Sequence, residues 1–258
     1  MTDQQPSPRL VAAGLLLTML LLVVALRADV DVDRAALDRF GLPDTGQLLK
    51  RHGYLASYDG RLRSSRWTLE RLTAASVAGD ADRANLHFVI DVDVPAEFRA
   101  RPSTYERSGY DIGHLASAQN HATSAAALAD TFRISNAGPQ LPGFNRGRWN
   151  ELERRVRSLA QENRAVWVLT GPLWIADGQQ LTVRYLAPDE IPVATHWFKS
   201  CIIEGRDGRL RAVTWIVPHV DDPPPLEELL ASIDELEHQA GFDAWPMLPG
   251  EKQLEAAK

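Results

Sequence analysis

Hydrophobic positions divide this chain into several short apolar runs and one long helical stripe. Tyr54–Ala56, Arg66–Leu72 and His87–Val94 read as strands parted by turns bearing Gly and Asp. Ala165–Thr170, Leu181–Leu186, Ala194–Ile203 and Leu210–Val217 read as four more. Between these groups, Trp149, Leu152, Val156 and Leu159 fall on one face of a helix over Trp149–Asn163. The alanine-rich segment Ser124–Thr131 predicts a shorter helix. Pro223, Pro224 and Pro225 then break the chain before a final helix, in which Ser232 and Glu235 form a capping box and Gly241 is the terminator. No internal repeat is present. The pattern is α+β.

The N-terminal part follows a different pattern. Leu10–Leu26 is a continuous apolar run between Arg9 and Arg27, followed by alternating acids at Asp29, Asp31 and Asp33. Its length is at the lower limit for a membrane span and slightly above a usual signal-peptide core, and both readings imply export. Residues 1–28 are therefore expected to be a membrane anchor or signal segment. Leu26 stands where cleavage after Ala28 would favour a small residue, so the intact anchor is the preferred reading. Residues 29–48 are expected to be a linker with a short helix at Arg34–Phe40 ended by Gly41 and Pro43, 49–249 one domain, and 250–258 a tail.

With 258 residues, 45% of them hydrophobic, the chain can bury one good core. The lone Cys201 rules out an internal disulfide framework, and its apolar neighbours suggest a buried strand position rather than a nucleophile. The formal net charge of −6 argues at first against a polyanionic partner. Its distribution changes the picture: Arg146, Arg148, Arg154, Arg155 and Arg157 cluster, whereas acids collect from Asp221 to Glu237. Such a layout can hold a polyanion at a basic cleft while the overall pI stays acidic.

The chemistry concentrates between Gly109 and Glu153, in the segments Gly109–His114, Phe132–Gln140 and Phe144–Glu153. Hydrolysing a phosphodiester calls for a base to activate water, a divalent ion to neutralise the leaving oxygen, and oxygen ligands for that ion. The His114 imidazole, the Asn145 amide and the Glu153 carboxylate can supply these. Glu153 borders the buried stripe of its helix and Glu151 faces elsewhere, while Asn145 precedes the helix by a few residues, so its oxygen can approach the same point as Glu153.

These segments resemble the DNA/RNA non-specific endonucleases with a ββα-metal site. The family signature is Asp-Arg-Gly-His, then Ser-Asn-x-x-Pro-Gln, then Asn-x-Gly-x-Trp-x-x-Leu-Glu, and all of it except the arginine is present here. Thr170-Gly171-Pro172, Val193–Lys199 and Ile233–Phe242 resemble further family segments, so the likeness spans roughly residues 40 to 249. It implies a central, mostly antiparallel sheet flanked by helices. It also implies a sugar-non-specific endonuclease acting on DNA and RNA without regard to sequence and leaving 5′-phosphate ends. His114 matches the general base, Asn145 the direct metal ligand, and Glu153 the carboxylate that holds the ion's water shell. Asp111 matches a residue that arranges the histidine and that shell, and Asn136 one that supports the site. Arg83 sits where members have a phosphate-contacting arginine, with Arg146 and Arg148 as further substrate-binding candidates. Mg²⁺ is the expected ion because the ligands are oxygen, with Mn²⁺ as the second candidate. His196 and Lys199 match family positions as well, although polar residues on strands commonly pack or face solvent. A homodimer and an inhibitor protein are left open.

Two positions depart from the pattern. Ile112 stands in place of the signature arginine, whose charge near the transition state would be worth about 10² to 10³ in rate. Ser117 stands where many members carry proline. A compensating Arg146 or Arg148 is one outcome. The other is a catalytically weak or inactive homologue kept as an exported module that binds nucleic acid or protein.

Overall fold

The computed structural model describes residues 39–44, 46–176, 178 and 181–248. Seven strands form one sheet: β1 (Gln47–Lys50), β2 (Tyr54–Asp59), β3 (Ser64–Leu72), β6 (Ala165–Leu173), β9 (His196–Glu204), β10 (Leu210–Pro218) and β11 (Leu230–Ala231). They lie in that spatial order, and every neighbouring pair is antiparallel. Two small ladders stand apart from it, β4 (Asp111–His114) with β5 (Ala137–Gln140), and β7 (Tyr185–Leu186) with β8 (Ile191–Pro192). The longer α-helices among the described residues are α1 (Ala125–Thr131), α2 (Asn150–Glu162) and α3 (Ile233–Ala240). The α+β class with a mostly antiparallel sheet is therefore the observed one.

Strand alternation sorts the sheet's side chains into two cores. Val166 and Val168 of β6, with Cys201 and Ile203 of β9, pack beneath α2 against Trp149, Leu152, Val156 and Leu159. Trp167 and Leu169, with Phe198 and Ile202, face the other way, against Phe40, Ile233, Leu236 and Trp245. The α2 stripe is thus the one expected from spacing, and Cys201 is a fully buried strand residue. Each fully buried large aliphatic of the stripe contributes about 1.5–3 kcal/mol, so Leu152→Ala is the single change that would most loosen the helix.

The ends of the helices follow their side chains. Ser124 Oγ accepts from Ala127 N at the start of α1, and Ser232 Oγ from Glu235 N at the start of α3. Gly241 closes α3 at φ 69°, the left-handed conformation glycine adopts without steric cost.

Several expected elements differ. His87–Val94 forms no strand: one bridge joins Val89 to Arg133, and the chain then turns. Its alternation runs inside out, because Asp91 is buried by Arg51, Arg133 and Ser135 while Val89, Ile90 and Val92 are exposed. Of Leu181–Leu186 only the last two residues pair. Within the span expected as linker, Phe40 is fully buried and packs edge-on against Trp167, and β1 is the sheet's first strand. The apolar run Leu10–Leu26 and nearly all of the short helix at Arg34–Phe40 lie outside the described residues. Among the described residues no helix is long and apolar enough to cross a membrane.

Candidate active site

The β4–β5 pair was not legible as strands, yet it carries the histidine. Pairing Asp111 with Gln140 and His114 with Ala137 sets the ladder. Gly113 is required by close approach, since a Cβ there would lie 2.2 Å from the Gln140 side chain. Asn136 then fixes the exit of β4: its Nδ2 donates to Ala116 O at 3.0 Å and to Thr131 O at 2.9 Å, and its Oδ1 accepts from Ala116 N at 2.9 Å. Asn136 is fully buried, which suits the supporting part the resemblance implies.

The His114 ring is wedged between Phe88, 4.7 Å away, and the edge of Phe132, 5.1 Å away. Its Nε2 is buried and has no hydrogen-bond partner among the described residues. Burial first, then the like charges of Arg83 and His121, hold its pKa down to about 3. The imidazole is therefore neutral over the whole physiological range.

A cleft of about 440 Å³ opens on this ring and is lined by Arg83, Ile112, His114, Ser117, Asn145, Arg146, Asn150 and Glu153, among others. Asn145 begins a wide, irregular turn (Asn145–Trp149) that breaks at Gly147 (φ −96°, ψ −110°) and runs directly into α2. The few residues expected between Asn145 and the helix are thus themselves wound onto its start. Asn145 Nδ2 donates to Asp111 Oδ2 at 3.0 Å, and Arg146 clamps the same carboxylate through Nε at 2.9 Å and Nη2 at 2.7 Å. Burial works to raise the Asp111 pKa, but the bonds from Arg146 and Asn145 outweigh it and hold it below the ordinary carboxylate range. An ionised carboxylate only accepts hydrogen bonds. Asn145 must therefore turn its NH₂ towards Asp111, which leaves its oxygen as the group it can offer elsewhere.

Glu153 sits on the first turns of α2, and its Oε2 accepts from Ser117 Oγ at 2.9 Å. Burial, the largest influence, raises its pKa against the opposing effects of Lys199, Ser117 and Arg157. Among the described residues no three His, Cys, Asp or Glu side chains converge as a metal cage. Asn145 and Glu153 offer oxygen donors on one cleft, a set suited to a hard ion that keeps most of its water.

The structure thus brings Asp111, His114, Asn145, Glu153, Arg83 and Arg146 together, with Asn136 directly behind. Arg148 is not brought in: it bonds Glu151 and the Pro223 carbonyl. Three residues carry more than sequence reasoning gave them. Asn150 lines the cleft. Ser117, noted only as a departure, touches Glu153. Arg157, noted only within a charge cluster, lies one helical turn beyond Glu153 and donates to Asn120 Oδ1 at 3.4 Å. The i, i+4 spacing of Glu153 and Arg157 was the signal available for the last of these.

Known proteins share this arrangement of chain. Residues 33–251 match the family described as DNA/RNA non-specific endonuclease. Endonuclease G, mitochondrial, of Homo sapiens is 39% identical over 214 residues, covering 80% of this chain and 72% of that protein. A Nuclease of Syncephalastrum racemosum is 34% identical over 228 residues, covering 81% and 71%. A solved structure from the EndoG/EndoGI complex superposes with a TM-score of 0.79 at 33% identity, over 84% of this chain and 92% of that one. On the family match, these identities and a common fold, the chain belongs to the DNA/RNA non-specific endonuclease family.

Proposed function

We propose that the cleft hydrolyses phosphodiester bonds of DNA and RNA with one hydrated divalent cation, Mg²⁺ first and Mn²⁺ second, leaving 5′-phosphate ends. One observation carries this reading: Asp111 orients the Asn145 amide on the same cleft to which a neutral His114 opens. Asn145 would hold the ion through its side-chain oxygen, with Glu153 holding the ion's water shell. When bound, the ion would neutralise charge on the phosphate and on the leaving 3′ oxygen. His114 takes a proton from the attacking water, and a phosphate entering the cleft raises the basicity of an imidazole otherwise held down by burial and Arg83. Arg83 and Arg146 hold phosphate oxygens, and contacts to phosphate carry no base sequence, which fits a substrate range spanning both nucleic acids.

The weak-homologue reading rests on Ile112, which lines the cleft and packs into the apolar cluster of Ile134, Ala137 and Ile191. Arg146 supports the active reading, because its guanidinium lines the same cleft. For location, the run Leu10–Leu26 supports export with membrane tethering.

Purified protein should cut plasmid DNA and RNA with Mg²⁺ and stop on chelation. His114→Ala should lower the rate by about 10² to 10⁴ while metal and nucleic-acid binding persist. Unchanged turnover in that variant, or full activity in chelator, would reject the mechanism.

A further inference from the structure

The cleft wall holds a buried hydroxyl with no part in the chemistry above. Ser117 lies three residues after His114, is 3% exposed, and donates through Oγ to Glu153 Oε2, the one hydrogen bond that carboxylate receives among the described residues. Both ends of this bond are rigid. Asn136 grips Ala116 through both its N–H and its C=O, and the Ser117 carbonyl accepts from Asn120 N at 3.0 Å. Glu153 is carried between Leu152 and Val156, which are fixed in the core. The bond therefore joins the segment that holds the histidine to the helix that holds the carboxylate.

Glu153 needs such a tie. A glutamate side chain has three rotatable bonds, and the charges of Lys199 and Arg157 also attract this one. We propose that Ser117 is a positioning residue for Glu153: by tying Oε2 to the loop after β4 (Asp111–His114), it keeps the other carboxylate oxygen facing the cation beside Asn145. This rests on the reading that the cleft takes a divalent ion. Ser117 reaches the ion only through Glu153, so its loss should weaken metal binding before it alters DNA binding. A threonine would keep the hydroxyl, and the extended backbone there (φ −67°, ψ 130°) accepts β-branching.

The test is Mn²⁺ titration of metal-stripped protein, with free Mn²⁺ read by electron paramagnetic resonance, alongside Mg²⁺-dependent plasmid cleavage and thermal melting. Ser117→Ala should bind Mn²⁺ about tenfold more weakly, with KM for DNA and the melting temperature close to the parent. Ser117→Thr should restore binding to within about threefold of the parent, and adding Ser117→Ala to Glu153→Gln should weaken binding little further, since the two act as one unit. Parent-like Mn²⁺ binding in Ser117→Ala, a folded Ser117→Thr as weak as the alanine variant, or full additivity with Glu153→Gln would each overturn the proposal. If the parent itself binds no Mn²⁺ and cleaves without it, the metal reading fails and Ser117 falls with it. A parent that binds normally beside an unaffected Ser117→Ala rejects Ser117 alone.

Discussion

The two faces of the central sheet follow different rules. Towards α3 (Ile233–Ala240), β3, β6 and β9 present Trp67, Leu69, Trp167, Leu169, Phe198 and Ile202, and Phe40 closes on Trp167 and Trp245 at ring separations of 5.0 and 6.0 Å. Towards α2 (Asn150–Glu162), the alternate positions of the same strands include Thr68, Glu70, Thr170 and Lys199 among the apolar residues, all 1% exposed or less. Glu70 Oε1 accepts from Asn120 Nδ2 at 2.9 Å and from His121 Nε2 at 3.0 Å, while Oε2 has no partner among the described residues. Lys199 Nζ donates to Thr170 Oγ1 at 2.9 Å and Leu115 O at 3.4 Å, and lies 4.8 Å from the Trp149 ring centre. Burying charge is costly unless it is paired and hydrogen-bonded. Here it is buried where its contacts reach Leu115, next to His114, and Trp149, between Asn145 and Glu153. One face maximises apolar contact, and the other gives up part of that contact to hold the two arms of the cleft.

Two substitutions sharpen this contrast. Leu69→Ala, on the α3 face, should cost about 2–5 kcal/mol of stability, the range for a buried leucine. Its turnover per folded molecule should be unchanged. Lys199→Met, which keeps the length and removes the charge, should lower turnover by about 10- to 100-fold, as for other groups that support a metal site. Its melting temperature should fall less than that of Leu69→Ala. Chemical denaturation and plasmid-cleavage rates measured on both variants check this. Equal loss of turnover in the two would erase the distinction between the faces.

The acid limb of stability offers a second contrast, since His114 lies on the cleft side. Its folded-state pKa is about 3, set first by burial and then by Arg83 and His121, against about 6.5 for an unfolded histidine. Between those values the unfolded chain binds the extra proton, so this residue's contribution rises with pH through the window and is lost as pH falls below about 6.5. Denaturation midpoints of parent and His114→Asn, compared at pH 7 and pH 4.5, should shift relative to one another in favour of the variant at the lower pH. The same difference at both pH values would mean that burial does not depress His114.

The large elements were legible because their patterns are local. Leu152, Val156 and Leu159 repeat at helical spacing, and Arg66–Leu72 and Ala194–Ile203 are apolar runs too long for loops. The candidate site residues were named through motif order, and the structure sets His114, Asn145 and Glu153 on one cleft, with Asp111 bonded to Asn145. What escaped depends on contacts distant in sequence. β4 and β5 are four-residue strands containing Gly113, Gly138 and Pro139, and no propensity marks them; their pairing is fixed by Asn136 and by the close packing of Gln140 on Gly113. His87–Val94 misled because Asp91 draws its buried partners from Arg51 and Arg133, some forty residues away on either side. Arg148 misled because its i+3 neighbour Glu151 and the Pro223 carbonyl claim its guanidinium.

Arg146 and Arg148 provide the finest comparison, two arginines two residues apart on opposite sides of one turn. Arg146 is 72% exposed at its side chain, pairs with Asp111 and lines the cleft beside Ile112. Arg148 is only 21% exposed and points to the Pro223 loop. An exposed ion pair contributes little stability, so Arg146→Ala should leave melting unchanged and act on catalysis, by removing charge from the cleft and loosening Asp111 and hence Asn145. A drop of about tenfold in kcat/KM is expected, below the roughly 10² to 10³ that one buried, preorganised donor supplies, because this guanidinium is exposed to water. Arg148→Ala should stay within about twofold of the parent, as for a surface change away from the site. Ile112→Arg tests the same idea from the other side of the cleft. Ile112 is half-buried, so an arginine stem can follow the apolar wall and bring its head to the opening. If Arg146 supplies the charge that Ile112 lacks, Ile112→Arg should help the Arg146→Ala variant more than the parent, with the gain in turnover on both DNA and RNA. Equal losses from Arg146→Ala and Arg148→Ala, or an Ile112→Arg that folds and helps the parent as much as the Arg146→Ala variant, would reject Arg146 as the residue that takes the missing role.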